Sequence, residues 1–316
     1  MLSACATPEM PEHNEHHLSH AMILCAGIGQ RLRPLTLELP KPLLPVGDRS
    51  LLAHISAALA RAGHFDAAAN THWMPEQFQS ILADLPITLT LVHEPLIRGV
   101  AGGISGARGL LEAPLVVYNG DIAMWEPPLR EVVDVARDGD GVCLAVSPAR
   151  DGGTVGLDAS GRVVRLRGER HGVEVRSGDY VGLAGFSARA LGSLPVEGCL
   201  IGDVCLPLLR RGEPVYSCPA PSEWWDIGSV QGYLAANRAW LARHANQPQQ
   251  SFVHPSARVA AAVSVDGCVI GAGAEVLGQG SLSGCVVWPQ ARALAPLSNS
   301  VVTPKQVMPG NPRALP

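Results

Sequence analysis

The sequence predicts an α/β protein: a mostly parallel mixed sheet flanked by helices, followed by a short β-helix of hexapeptide repeats. Three observations predict it. Short apolar runs alternate with amphipathic helical stretches between residues 21 and 244, the pattern of βαβ units. Several of those runs end in glycine-bearing or acidic turns, where open parallel sheets bind ligands. Beyond residue 251 the period changes. Apolar residues recur at Val253, Val259, Val265, Ile270, Val276, Leu282 and Val287, and Asp266-Gly267-Cys268-Val269-Ile270 is echoed by Ser283-Gly284-Cys285-Val286-Val287. Spacings of five or six residues with small residues between them describe about three stacked coils.

Composition narrows the function. The 316 residues are 47% hydrophobic and 16% charged, with a net charge of -4. A sizeable core is available and wholesale disorder is excluded. A negative chain is no nucleic-acid wrapper, so any bound anion must be held by local cations. None of the eight cysteines forms a C-x-x-C pair, which argues against a zinc ribbon or a thioredoxin-like site. They read as buried thiols in a reducing cytosol. Leu2-Ser3-Ala4-Cys5 has the look of a lipoprotein cleavage box but lacks basic and apolar segments before it, and is discounted. No run approaches the ~18 apolar residues of a membrane span. The expectation is a soluble, cytoplasmic protein with no membrane or nucleic-acid partner.

Taken in order, residues 1–20 are polar and hold His13, His16, His17 and His20. They read as a disordered, solvated tail rather than a metal site. Residues 21–24 are a buried strand, which opens into a loop with Gly27, Gly29, Arg31 and Arg33 and then Pro40-Lys41-Pro42. Glycines let backbone N–H groups approach an oxyanion, and fixed cations neutralise it. Ser50 caps a helix through residue 62, with Leu51, Leu52, Ile55 and Leu59 on one face and Gly63 ending it. Residues 65–70 are a strand, 75–82 a helix begun by Pro75, and 87–92 a strand. A second glycine loop, Gly99 to Gly103, leads into a helix. Residues 115–118 are a strand ending in Asn119-Gly120-Asp121, 128–137 a helix and 142–147 a strand. Residues 150–187 form an antiparallel excursion that returns along 180–187. A short helix over 203–211 and a strand over 215–218 precede Trp224-Trp225-Asp226-Ile227-Gly228. Ser229 then caps a helix carrying Val230, Tyr233, Leu234, Asn237, Trp240 and Leu241 on one stripe. The expected division is a tail (1–20), a Rossmann-like α/β domain (21–245), a linker (246–251) and the β-helix (252–316).

The spacing Gly27-x-Gly29-x-Arg31-Leu32-x-Pro34-Leu35-Thr36-x3-Pro40-Lys41-Pro42-Leu43-Leu44-Pro45-Val46 resembles the signature of the sugar-1-phosphate nucleotidyltransferases, the nucleotide-sugar pyrophosphorylases. Asn70-Thr71-His72-Trp73, Gly99-Val100-Ala101-Gly102-Gly103, Gly120-Asp121 and Trp225-Asp226-Ile227-Gly228 are similar to further motifs of that family. Some of its members carry a C-terminal left-handed β-helix. The resemblance implies transfer of a nucleoside monophosphate from an NTP to a sugar 1-phosphate, by a guanylyl-, uridylyl- or thymidylyltransferase. Catalysis of that kind is mainly positioning and electrostatics.

The resemblance also implies roles. Arg31 would grip the leaving phosphates, and Lys41 would touch the α-phosphate as a compact charge. Asp121 and Asp226 would bind Mg²⁺, a hard cation wanting oxygen ligands. Arg31, Lys41 and Asp121 form the catalytic set. Leu24, Ala26, Gly27, Gly29, Gln30, Arg31, Asn70, Glu94, Gly99, Ala101 and Gly102 would contact the nucleotide. Asn119, Gly120, Arg170 and Gly182 would contact the sugar phosphate. Read from the residues alone, Arg31 also suits a surface ion pair, Asp121 a strand-end turn and Asp226 a cap for the helix that follows. Trp224, Trp225 and Tyr233 suit the core. His72 and His93 are not needed as general bases.

The chain departs from the family at three places. The usual Glu-Lys-Pro is replaced by Glu169-Arg170-His171, so the second cation is Arg170, Arg165 or absent. The usual Thr-Asp region reads Leu200-Ile201-Gly202-Asp203. The base-contacting Gln of thymidylyltransferases is Glu94, which fits a uridylyl- or guanylyltransferase better. The run Gly99 to Ile104 looks most like the branch acting on mannose-, heptose- or N-acetylmuramate 1-phosphate. Three other readings stand beside this one. A nucleotide-sugar-binding regulatory subunit is motivated by the altered Glu-Lys-Pro. A choline-phosphate cytidylyltransferase shares the fold. A hexapeptide acyltransferase needs a catalytic His, and only His254 lies in the repeats. The exposed edge of the β-helix suits assembly of a homo-oligomer.

Overall fold

A computed structural model describes residues 19–244 and 250–310 of the chain. The tail histidines His13, His16 and His17 and most of the expected linker lie outside the described residues.

Four parallel strands form one half of the main sheet, in the spatial order Thr88–His93, Asp66–Thr71, Ser19–Leu24, Leu111–Asn119. The run around residue 22 is apolar throughout because both faces of the strand are covered. Ala21 and Ile23 enter one core and Met22 the other. The chain steps outward from the first strand twice, then returns to its opposite side. That reversal opens a crevice at the carboxyl ends of the strands. Leu24 is level with Asn70 on one side and Asn119 on the other, so three expected site residues line up across the switch point.

The other half of the sheet is antiparallel. The long strand Arg176–Phe186 pairs with Leu111–Asn119 and with Val142–Pro148, and Tyr216–Pro219 runs parallel to the latter. Short strands Val155–Leu157, Val163–Leu166 and Glu169–Arg170 extend it. The return strand therefore starts at Arg176, earlier than expected, because its first residues pair with Val155–Leu157. The first strand likewise begins at Ser19, which is buried. The expected helix over 75–82 is only the turn Glu76–Gln79 and a 3-10 turn Leu82–Asp84. Phe78 is the one fully buried anchor there, too little apolar surface to hold a longer helix.

Between residues 252 and 302 the strands stack in parallel, and Val307–Pro309 then turns back antiparallel on Ser300–Val302. Phe252 pairs with Val269, Val269 with Val286 and Val286 with Val301. A second ladder runs Arg258, Glu275, Arg292. Cys285 N–H donates to Cys268 Sγ at 3.3 Å inside the stack. All seven cysteines among the described residues are free thiols.

This stack shares one buried core with the α/β region. Tyr233, Leu234 and Trp240 of the helix Val230–His244 cluster with Cys268, Val269, Trp288 and Val301. The indole of Trp240 meets Phe252 edge-on at 5.3 Å and lies across the Pro45–Gly47 turn. Gly47 has φ 64°, and a Cβ there would fall 2.0 Å from Trp240 Cδ2. Gly47→Ala is expected to cost about 3–4 kcal/mol, combining a left-handed Cβ with overpacking. Denaturant unfolding measures it, and a loss under about 1 kcal/mol would show that Trp240 yields freely.

Candidate active site

The first strand delivers the chain to the crevice at Leu24, and the loop that follows forms its floor. Gly120 N–H donates to the Leu24 carbonyl at 2.9 Å. A Cβ on Gly120 would lie 2.7 Å from that oxygen, 3.0 Å from Cys25 Sγ and 3.1 Å from Pro42, so the floor closes only with glycine there. A Cβ on Gly27 would meet no protein atom. It would stand in the open cleft, where a ligand would lie. Gly29 adopts φ 69°, and Thr36 closes that turn by donating to its carbonyl at 2.9 Å.

The cleft offers about 670 Å³ of space, open to solvent on one side. Leu24, Ala26, Gly27, Lys41, Asn70, Glu94, Gly99, Asn119, Gly120 and Asp121, all singled out in the sequence, line it together. Gly29, Gln30 and Arg31 line an adjoining hollow that shares Lys41 and Ile97 with it. Cys25, Pro42, Ile97 and Val100 also line the cleft; the sequence singled none of them out for this, and an apolar side chain in a loop carries no signal of its own.

Two ion pairs cross the site. Lys41 Nζ donates to Asp121 Oδ2 at 2.9 Å, with the lysine side chain only 11% exposed. Arg31 NH2 lies 3.7 Å from Asp226 Oδ2. Backbone pairing explains why Asp121 and Asp226 meet. The strands Ile122–Met124 and Trp224–Asp226 are antiparallel partners, and Ile227 N–H donates to the Asp121 carbonyl at 3.1 Å. Asp226 thus faces Arg31 as well as preceding the helix. Burial, and then the charge of Asp121, push the Cys25 thiol up. It stays protonated and is no nucleophile.

A polar corner lies opposite. Asn70 Oδ1 accepts from Cys25 N–H at 2.8 Å, and Asn70 Nδ2 donates to Glu94 Oε1 at 2.9 Å. Glu94 is 2% exposed. A Cβ on Gly103 would collide with both side chains, so that glycine makes room for the corner.

Other expected contacts do not reach the cleft. Ala101 and Gly102 are buried, and their N–H groups point to the Gly198 carbonyl at 2.9 and 3.4 Å. The expected glycine loop is in fact the first turn of a helix, Gly99–Gly106, held against residues 196–199, with Gly99 and Val100 left to line the cleft. Arg170 is an exposed side chain 3.1 Å from Glu174, and Arg165 grips the same carboxylate with two nitrogens. Glu174 therefore occupies both candidates for the second cation. Arg167 instead reaches Cys199 Sγ at 3.2 Å, beside the segment on which Gly99 packs. Gly182, at φ 74°, touches Asn119, since a Cβ there would lie 2.9 Å from its Nδ2. Two residues before it, the Tyr180 hydroxyl is pushed up chiefly by burial, with smaller contributions from Cys205, Cys199 and Asp121. It remains protonated. His72 is engaged by the Glu94 carbonyl at 2.8 Å.

A profile of the nucleotidyl transferase family matches residues 20–243. The chain belongs to that family. Among curated relatives, a mannose-1-phosphate guanyltransferase of Pichia angusta is 30% identical over 70% of this chain and 64% of its own. A mannose-1-phosphate guanylyltransferase of Mycobacterium tuberculosis is 28% identical over 88% of this chain and 82% of its own. The chain thus spans just under two thirds of the first of these relatives. A crystal structure of HddC from Yersinia pseudotuberculosis, complexed with GMP-PN, superposes with a TM-score of 0.59 at 19% identity, covering 71% of this chain and all of that one. That likeness shows a shared fold. Both curated relatives are named for transfer to mannose 1-phosphate. The matched region stops at residue 243, just before the stacked strands.

Proposed function

We propose that this protein transfers GMP from GTP to a mannose-type sugar 1-phosphate, releasing pyrophosphate. The observation that carries the reading is Lys41 paired with Asp121 on the cleft floor, level with the strand ends. A phosphate oxygen of the sugar 1-phosphate attacks the α-phosphorus of GTP. The bond from that phosphorus to the bridging β-phosphate oxygen breaks, and pyrophosphate leaves. Lys41, fixed between two prolines, neutralises charge that builds on the α-phosphoryl oxygens. Arg31, 76% exposed on the rim, is free to swing onto the leaving phosphates.

Asp121 and Asp226 are the residues that would hold Mg²⁺. The donor set fits: two carboxylates, and among the described residues no cluster of three or more His, Cys, Asp or Glu ligands. Mg²⁺ is held by one or two carboxylates and completes its shell from phosphates and water. When bound it supplies charge neutralisation for the triphosphate.

The base choice rests on Glu94. A carboxylate fixed by Asn70 accepts from both N1–H and the 2-amino group of guanine. Uracil and thymine offer one donor flanked by two carbonyl oxygens, which a carboxylate repels. The names of the curated relatives support the same base and the mannose-type acceptor. The stacked C-terminal strands read as a left-handed β-helix whose open edge suits a homo-oligomer. Among the described residues no helix is long and apolar enough to cross a membrane, and a cytoplasmic location suits the nucleotide substrate.

A pyrophosphate-release screen crossing four NTPs with a panel of sugar 1-phosphates tests the reading. GTP with mannose 1-phosphate is expected to be fastest. Glu94→Gln is expected to shift the GTP:UTP ratio of kcat/KM by about 10–100-fold toward UTP. An unchanged ratio would remove Glu94 from base selection. Release with no pair at all would favour the nucleotide-sugar-binding regulatory subunit.

A further inference from the structure

The segment that carries Lys41 is gripped on both sides by the C-terminal third of the chain. Three residues before Lys41, Glu38 ends the 3-10 turn Leu35–Leu37. Its Oε1 accepts from Thr303 Oγ1 at 2.6 Å and from Gln306 Nε2 at 2.9 Å. Thr303 is 3% exposed, and its hydroxyl also accepts from the N–H groups of Lys305 and Gln306. Both donors are therefore built into one tight turn. Four residues after Lys41, the Pro45 carbonyl accepts from the Tyr233 hydroxyl at 2.5 Å, and that hydroxyl accepts from Trp288 Nε1 at 3.0 Å. Gly47 N–H donates to Asn237 Oδ1 at 2.9 Å.

None of these groups touches the cleft. They fix the two ends of a short, proline-bounded segment whose middle places an ammonium 2.9 Å from Asp121. We propose that the Thr303–Gln306 turn is a brace for Lys41, and that Glu38, Thr303 and Gln306 are positioning residues for transfer. The proposal rests on the reading of Lys41 given above. It gives the C-terminal stack a part in the chemistry as well as in packing. A loop held at both ends keeps its cation where charge develops, and small misplacements of such a group are costly in rate.

The sequence supplies a probe. Lys41 and Lys305 are its only lysines, and Lys305 lies in the brace turn itself, so the initial rate of ε-amine acylation, followed by peptide mass spectrometry, reports the freedom of Lys41 in molecules whose turn is still unmodified. Thr303→Val removes the hydroxyl at nearly constant volume, and Glu38→Ala removes the acceptor from the other side. Each is expected to lower kcat about tenfold, while KM for both substrates changes by less than about twofold. Lys41 is expected to acylate severalfold faster in both variants, with the melting temperature within about 3 °C of the parent. Parental kcat and parental Lys41 labelling in both variants would overturn the brace. So would a fall in kcat matched by a rise in KM with labelling unchanged, which marks a merely structural role. Labelling does not depend on the reaction. A parent enzyme that turns over no substrate would sink the reading of Lys41, and the brace would still be judged by its labelling rate.

Discussion

Lys41→Ala is expected to lower kcat about a thousandfold while leaving KM for the nucleotide nearly unchanged. Lys41 is the most enclosed cation of the site: its side chain is 11% exposed and its ammonium hydrogen-bonds Asp121. On the proposed reaction its interaction with the α-phosphoryl oxygens strengthens as charge develops, so the loss falls on turnover. Folding should survive. Asp121, left without its partner, is 35% exposed and can be hydrated. Lys41→Arg is not expected to restore the rate, because a planar guanidinium does not fit a slot shaped for a compact ammonium. Steady-state pyrophosphate release together with a circular dichroism melt checks both statements. Parental turnover in a folded Lys41→Ala protein would move the catalytic cation elsewhere in the cleft.

Asp121→Asn is expected to cut turnover by at least about a hundredfold and to raise the Mg²⁺ concentration needed for half-maximal rate. The substitution keeps size and hydrogen bonding but removes one of the two carboxylates that face the phosphate cations. Only Asp226 then remains to hold a hard divalent ion. Mn²⁺ binding followed by electron paramagnetic resonance gives a second readout that needs no catalysis. Unchanged metal affinity, or full turnover by the folded variant, would end the assignment. The backbone at this position is secured independently, since the Asp121 carbonyl accepts from Ile227 N–H. A loss of activity would therefore report the lost charge rather than a collapsed strand pair.

Much of the site was legible because its parts lie on short, local stretches. The Gly27 loop, the start of the Gly99–Gly106 helix and Asp121 each come after a strand end, and a parallel sheet gathers strand ends at one edge. The glycines were legible for a physical reason too: at Gly120 a Cβ would collide with the Leu24 carbonyl and Cys25, and at Gly29 with Thr36. Ala101 and Gly102 turn away from the cleft because the run from Gly99 is the first turn of a helix, and glycine spacing does not reveal that its N–H groups meet the Gly198 carbonyl. Arg165 and Arg170 were left as alternatives for a second cation. Neither is free to take that part in the resting site, because Glu174 claims both through the fold of a hairpin. The helix expected over 75–82 fell short because proline and polarity signal a start but not the apolar contacts that sustain length.

The sequence by itself determined the α/β order of elements, the first glycine loop and the family. These depend on periodicity and spacing within a few tens of residues, where the chain's own geometry decides. Only the tertiary structure decided the partners. Arg31 meets Asp226, Asn70 donates to Glu94, and Glu38 is held by Thr303 and Gln306. Such pairs join residues separated in the chain, and each requires its own elements to be assembled first: neighbouring strands for Asn70 and Glu94, and the stacked strands for Glu38. A side chain's type announces that it needs a partner, and packing chooses which one it gets.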